Sequence, residues 1–423
     1  MFKIASIPWV LVMFCAYPPG ITAQFRIDAE LRPRVEYRHG YRTIFPENED
    51  ASALVSQRTR LSTKYTIKDF ELFISVQNIR LWGDVSQLNK NDENGVAVFQ
   101  AWAKFNFNEY LTLKLGRQEI GYDDLRFFGT SNWVQQGRAH DAAMFRYAKN
   151  DFSLDVGLAY NQSENSLTGN TLFTPSTYKS MQLARSYRSF NNFSVSLLFA
   201  NIGFQFLDEN NANNNSTYHN QTFGGYFKYY KSKLTLHNTI FGQIGKDLAG
   251  NNLQSCLYHF SGSWEENKTT FMLEFQYLSG NEGGTPNEGK NKAFTPFFGN
   301  NHKYNGFMDY FYVGGGHINS VGLIDINSEV SFSLSEKTKL NATLHNFSSP
   351  RMISTETSRQ LGIELDVVLS YKPLTFVDVL IGYSQLFAND NLKVLRNVES
   401  NESNYFLWSM ITIKPKLFSN GAE

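Results

Sequence analysis

Cysteine is almost missing from this chain, with two in 423 residues, and the first of them, Cys15, falls in a leader-like stretch. A disulfide framework and a Cys-based metal site are both excluded on that count. Long hydrophobic runs are missing too. Beyond the leader no stretch approaches the ~20 apolar residues of a spanning helix, so a membrane-embedded chain would have to cross as strands. Charge of one sign is not in excess, with 39 Lys and Arg against 39 Asp and Glu. No net field therefore points to nucleic acid or to an anionic membrane surface. A phosphate loop is also absent, because "VGGGHINSVG" at 313–322 has no following Lys-Ser/Thr and no strand–helix frame. Aromatics, by contrast, are abundant. They make up 15% of a chain whose mean hydropathy is only −0.36, with 36 Phe and 22 Tyr.

The first 23 residues have the form of an export signal. Lys3 supplies the charged end, Ile4 to Tyr17 the apolar run, and Ile21-Thr22-Ala23 a small residue at the cleavage point before Gln24. Pro8, Pro18 and Pro19 interrupt any anchor helix, and Phe14 is too bulky to precede a lipidated Cys15. Removal of 1–23 takes away Lys3 and leaves 38 basic against 39 acidic residues, with Cys256 as the one thiol, expected to be a packing residue.

From Gln24 onward the chain alternates in steps of two. Phe25, Ile27, Ala29, Leu31, Pro33, Val35 and Tyr37 take one face, while Arg26, Asp28, Glu30, Arg32, Arg34, Glu36 and Arg38 take the other. A helix would scatter these residues around its axis, so the pattern is a strand. It recurs at Phe99–Phe107, Phe152–Tyr160 and Leu361–Leu369, and about 18 such segments reach or exceed the 9–11 residues that cross a bilayer when tilted.

The connections separate a sandwich from a barrel. Short links at 68–70, 108–109, 149–150, 191–192, 232, 265–268, 336–337 and 372–375 alternate with long polar stretches. The long ones include 82–97, 121–137, 161–177, 208–221, 281–320 and 389–403. One end of the sheet is therefore short and the other elaborate, as in outer-membrane barrels with short periplasmic turns and long extracellular loops. Open edges cannot face hydrocarbon, so closure is required. The expected fold is all-β, one closed antiparallel transmembrane β-barrel of about 18 strands spanning 24–423. Aromatics near strand ends, such as Tyr226, Phe227, Tyr229 and Tyr230, suit an interfacial girdle. The end "FLWSMITIKPKLF" resembles the terminal aromatic signal of the barrel-assembly machinery, with five residues following Phe418.

By parity the lumen receives Arg26, Arg32, Arg34, Arg38, Arg58, Arg60, Lys64, Lys104, Lys114 and Arg146, with Asp28, Glu30, Glu36 and Asp155 among them. Two readings stand side by side. Cations lining a water-filled pore favour anions, and guanidinium grips carboxylate in a bidentate fork. Alternatively, opposite charges on neighbouring strands pair and hold the lumen in shape.

The stretch "LGRQEIGYDDLRFFGTSNWVQQGRAHDA" at 115–142 and "FTPFFGNNHKYNGFMDYF" at 294–311 resemble the alginate export family of outer-membrane barrels, as do "LRPRVEY" and "QRTRL". That resemblance implies 18 strands and a narrow pore lined by arginines and lysines, whose cargo is a polyanionic saccharide moving outward. Carried over by motif, Arg34, Arg60, Arg117 and Arg138 would line the path with Asp141 as acidic companion, beside the parity candidates Arg58, Lys104 and Arg146. Arg117 shares odd parity with Leu113 and Leu115. Either Gly116 marks a bulge that turns it inward, the favoured expectation, or it lies above the membrane at the mouth.

Catalysis is not expected. His140 beside Asp141 is the best candidate base, yet no serine near it stands out, and His302 has no second ligand at metal spacing. No metal or cofactor is expected. The competing function is a general or sugar-selective porin for small-solute uptake. Expected partners are an anionic saccharide or small anionic solute, outer-membrane lipid and lipopolysaccharide, and the assembly machinery. Periplasmic export partners are left open, nucleic acid is excluded, and the barrel is expected to be monomeric.

Overall fold

In a computed structural model that describes residues 23–88, 95–208, 210–211, 214–353 and 358–421, the period-two segments become strands. The leader expected at 1–23 lies outside the described residues except for Ala23. The first nine strands are β1 (Gln24–His39), β2 (Ser52–Ile67), β3 (Phe70–Leu81), β4 (Ala97–Asn106), β5 (Leu111–Gln118), β6 (His140–Lys149), β7 (Phe152–Tyr160), β8 (Ser180–Phe190) and β9 (Phe193–Phe206). The rest are β10 (Ser216–Lys231), β11 (Leu234–Lys246), β12 (Asn252–Glu266), β13 (Thr269–Leu278), β14 (Leu323–Ser335), β15 (Thr338–Ser348), β16 (Gln360–Leu374), β17 (Val377–Ala388) and β18 (Asn404–Ile413).

Each strand pairs antiparallel with the next. β18 then returns to β1 from His39↔Tyr405 to Leu31↔Ile413, so the sheet closes as an 18-stranded barrel. A short continuation, Lys416–Ser419, completes the seam through Ile27↔Phe418, with the Phe25 and Phe418 rings 6.3 Å apart. One end carries only tight turns, such as 191–192 and 336–337. The other carries the long connections, although 247–251 needs only five residues.

The facing is inside-out relative to a soluble protein. On β1, Val35 is 50% exposed and Leu31 38%, whereas Arg32 is 2% and Glu36 1%. On β7, Leu158 is exposed and Asp155 buried. An apolar outer band with ionic residues inside is the arrangement a bilayer selects, since Arg or Lys at mid-depth on the lipid face costs about 2–4 kcal/mol.

Four residues depart from simple alternation or its expected use. A register shift between Ser75 and Val76 lets both Phe99 and Gln100 turn inward, and Arg60 lies 3.6 Å over the Phe99 ring. A second shift, between Phe347 and Ser348, turns Leu361 inward as well. Tyr226 is not a girdle residue. It is buried, with its hydroxyl 2.5 Å from His237 Nδ1. Cys256 packs against nothing in the interior, because it shares the exposed face of β12 with Tyr258 and Phe260.

The principal core lies within the barrel. Two long connections, 119–139 and 279–322, fold inward and meet at a bridge between Phe128 and Phe298. Phe127, Phe128, Phe294, Tyr310 and Phe311 pack there against wall residues such as Met181, Leu257, Phe347 and Phe406. The lumen is thus filled by two loops together, 119–139 and 279–322.

Candidate functional site

The loop 119–139 begins where β5 ends. Gln118 anchors the exit, its side-chain amide donating to the Ala142 carbonyl at 2.9 Å and the Gly116 carbonyl at 3.1 Å. The charged run that follows then reaches the far wall. Asp123 accepts from Arg185 of β8 at 2.5 Å and Ser196 of β9 at 2.9 Å. Asp124 accepts from Thr239 of β11 at 2.6 Å, and its backbone carbonyl accepts the Tyr304 hydroxyl. Arg126 pairs with Glu274 of β13 at 3.3 Å while lying 3.4 Å over the Tyr304 ring.

The second half of the loop lies against the opposite wall. Its backbone runs through five consecutive carbonyls with no strand to receive them, and buried carbonyls require donors. Four arginines supply those donors. Arg32 donates to the carbonyls of Asn132 (2.6 Å) and Val134 (3.0 Å), and Arg34 to that of Trp133 (2.6 Å). Arg58 donates to the carbonyl of Gln135 (3.2 Å) and Arg60 to that of Gln136 (3.0 Å). Arg–x–Arg spacing on β1 and β2 puts each pair on one strand face, and the rigid fork of guanidinium suits a row of carbonyls. Their charges are compensated locally, Arg34 by Glu36 at 2.5 Å and Arg58 by Glu30 through its Nε at 2.8 Å.

The sequence-derived candidates therefore divide. Arg34, Arg58 and Arg60 face inward as alternation requires, but they hold the inserted loop, and the first two are buried. Arg138 joins the two loops, donating to the carbonyls of Gly129 (3.3 Å), Phe298 and Gly299 (3.4 Å). Burial lowers its guanidinium to about 10, which leaves it charged at neutral pH.

Lys104 and Arg146, with Lys64, lie toward the tight-turn end, and their side chains are 31%, 53% and 43% exposed. The carboxylates they touch, Glu71 and Asp155, are 15% and 5% exposed, so the cations stand above their partners and face water. Lys104, Lys114 and Arg146 border a cavity of about 460 Å³ roofed by residues 119–122. Within that roof, burial raises the Glu119 carboxyl above its usual range against the lowering influence of Arg60 and Arg58.

Arg117 corrects the expectation of a bulge. β5 pairs with β4 and β6 through Gly116 without a register shift, although Gly116 has φ of +114°. A Cβ there would overlap the Ala101 carbonyl, which is why glycine occupies the kink. Arg117 keeps its outward parity near the long-loop end of β5 and pairs with Asp141 at 2.8 Å. Asp141 likewise faces away from His140. That histidine is buried, its Nδ1 3.1 Å from the Tyr178 hydroxyl, so the adjacent His and Asp do not form a catalytic pair. His302 rests between Trp133 (3.8 Å) and Phe307 (4.7 Å), with Nδ1 2.6 Å from Asp309. Among the described residues no cluster suits a metal ion.

An acidic wall was missed by sequence reasoning. Glu274, Asp325, Glu364 and Asp366 on β13, β14 and β16 face inward and are buried, with His259 and His345 between them. Glu364 accepts the Met308 backbone N–H at 2.8 Å and Asp366 that of Phe307 at 3.2 Å, which docks the loop 279–322. The polar parity of Glu364 and Asp366 was visible in the sequence, but their loop partners were not. Inward acids on β13–β16 thus face histidines and loop amides, whereas on β1–β8 the inward cations are interleaved with Glu30, Glu36, Glu71 and Asp155.

A family model described as Alginate export matches residues 23–406. Searched against curated proteins, the chain has no match. Among solved structures, the outer membrane protein OpdK of Pseudomonas aeruginosa is 12% identical with a TM-score of 0.58, covering 93% of this chain and 99% of that one. OccAB4 of Acinetobacter baumannii is 11% identical with a TM-score of 0.62, covering 95% and 100%. OccK11 (OpdR) of Pseudomonas aeruginosa is 13% identical with a TM-score of 0.59, covering 93% and 96%. At these identities the likeness is one of fold.

Proposed function

The chain belongs to the alginate export family, an outer-membrane channel with the barrel of its porin neighbours, and from that premise we propose that it passes anionic saccharide without covalent chemistry. Export is the proposed direction, after delivery of the precursor by the 1–23 signal and insertion by the assembly machinery into lipid and lipopolysaccharide. The barrel works as a monomer with no cofactor.

The observation that carries this reading is the arc of partly exposed cations Lys64, Lys104 and Arg146, each more exposed than its carboxylate partner Glu71 or Asp155, at the tight-turn end of the lumen. Exposed inward cations lower the barrier to anions and repel cations.

Reconstituted conductance tests it. The wild type is expected to prefer anions and to be blocked by acidic oligosaccharides more strongly than by neutral ones of equal length. A variant with Lys64→Gln, Lys104→Gln and Arg146→Gln should lose that preference. Cation preference in the wild type, or an unchanged reversal potential in the variant, would refute the proposal.

A diffusion porin for small-solute uptake is the second reading. The loop-filled lumen favours it, since cavities of about 460 Å³ and 620 Å³ on different sides of the inserted loop suit single small solutes. Block that strengthens with oligosaccharide length supports the saccharide channel, and block independent of length supports the porin.

A further inference from the structure

The barrel wall has a break between β6 and β7. Their ladder runs from Lys149↔Phe152 only to Ala143↔Leu158, although β6 stays paired with β5 to His140 and β7 with β8 to Tyr160. The next positions in register, Ala142 opposite Ala159 and Asp141 opposite Tyr160, are not paired. Main-chain groups left outside a ladder are costly against hydrocarbon. A cavity of about 620 Å³ lies at the break, and its border draws on both sides of the wall. Arg117 and Asp141 belong to the outward face, whereas His140, Tyr178 and Phe298 are buried within. The cavity therefore passes through the sheet. Outside, exposed Leu115, Phe145 and Leu158 flank the break as part of the apolar band.

We propose that this break is a side portal from the outer leaflet, whose cavity takes a single-chain amphiphile with a zwitterionic head, of the lysophospholipid class. The site stands apart from the saccharide path and does not depend on it. Pro296, Phe297, Phe298 and Ile318 line the cavity where the inserted loop meets it, which gives an acyl chain an apolar seat. A second cavity of about 360 Å³, bordered by Trp133, Val134 and Val313, shares Tyr312 and Gly314 with the first and extends that seat. Both volumes lie in the range of small-molecule sites. At the outer lip Arg117 and Asp141 pair at 2.8 Å, with side chains 43% and 56% exposed. A zwitterion meets both charges at once, its phosphate on the guanidinium and its ammonium on the carboxylate. A head of one sign meets a like charge beside its partner.

A second observation points to an occupant. His140 and Tyr312 both border the cavity and both are more than nine-tenths buried. His140 Nε2 and the Tyr312 hydroxyl have no hydrogen-bond partner among the described residues. Buried polar atoms are nearly always paired, so these two suit the glycerol and ester oxygens that join such a head to its chain.

The test is photolabelling of the full chain in bilayer nanodiscs. The probes are a lysophosphatidylcholine with a diazirine at its chain end and an uncharged monoacylglycerol with the same chain. The lysolipid is expected to label the lumen, on Phe297, Phe298 or Ile318. The monoacylglycerol should label these positions about tenfold less, the worth of one charge-assisted hydrogen bond, and Arg117→Gln should erase the difference. Two variants obstruct the portal. In a Cys256→Ser chain, Ala142→Cys with Ala159→Cys joins the two strands across the break, so luminal labelling should fall on oxidation and return on reduction. Thr177→Trp, on the cavity border, should lower it without any cross-link. Labels confined to outer-wall residues such as Leu115 and Leu158, luminal labels unchanged by both obstructions, or equal luminal labelling by the two amphiphiles would overturn the proposal.

Discussion

Arg58→Met separates an arginine that anchors a loop from one that meets solute. Arg58 is 1% exposed, bonded to Glu30 through Nε at 2.8 Å and to the Gln135 carbonyl at 3.2 Å. Methionine keeps much of the volume and removes every donor. The Glu30 carboxylate, itself 10% exposed, would then be left buried without its partner, a loss of about 3–5 kcal/mol. Part of that is recoverable. With Glu30→Leu added, the orphan carboxylate is gone and the Gln135 carbonyl is left unsatisfied, at about 1–3 kcal/mol. The double variant should therefore recover about 2 kcal/mol of the loss seen in Arg58→Met. Because about 1.4 kcal/mol is a tenfold change in population, a loss of 3 kcal/mol concentrated in the loop raises its undocked fraction roughly 100-fold. In planar bilayers Arg58→Met should show larger, noisier conductance with anion preference kept, and its unfolding temperature in detergent should fall, the double variant lying between. Weakened anion preference at unchanged conductance and unchanged unfolding temperature would refute the anchor assignment.

Four further outcomes are expected. Glu364→Ala strips the acceptor from the Met308 N–H and should speed protease cleavage within 279–322, with a local loss of about 1–3 kcal/mol; cleavage at the wild-type rate would contradict the docking role. Burial lowers His317, in the same loop, to about 3, so the loop is favoured fully above pH 6.5 and loses stability as pH falls toward 3. Between pH 6.5 and 4.5 protease susceptibility should rise steeply, at about 1.4 kcal/mol per unit, and His317→Asn, which tolerates the φ of +66° there, should flatten the curve; an equal rise in the variant would assign the effect elsewhere. Gly280→Ala places a Cβ against the Val321 backbone and should lower the unfolding temperature, whereas an unchanged value would mean that the loop ends do not meet there. A fluorophore on Cys256 should be quenched by brominated lipid while one on Ser255→Cys in a Cys256→Ser chain is not, and the reverse result would invert the barrel's facing.

Alternation along the chain was enough to tell which residues face inward, because a strand's period reports its two faces directly. It could not tell what those faces meet. Arg32, Arg34, Arg58 and Arg60 look the same in sequence whether they border water or a folded loop, and the carbonyls they hold lie about 75 to 100 residues further along. Asp123, Asp124 and Arg126 fall in the long polar stretch 121–137, yet each is spent on a distant strand. Phe99 was misplaced because it is itself the extra residue of β4 at the register shift opposite Ser75 and Val76, and a strand's period gives no sign of a bulge. The motif resemblance placed Arg117 in the pore, while parity alone already pointed it outward.

The seam between β1 and β18 joins the two ends of the described chain, down to the Phe25 amide on the Asn420 side chain at 2.6 Å. Pairing strands in chain order therefore leaves one edge raw until the last strand is in place, and in hydrocarbon every raw amide costs several kcal/mol. Shortened chains should consequently fail to integrate at all, while a circularly permuted gene, stitched across that junction and reopened at 247–251, should still produce a sealed cylinder.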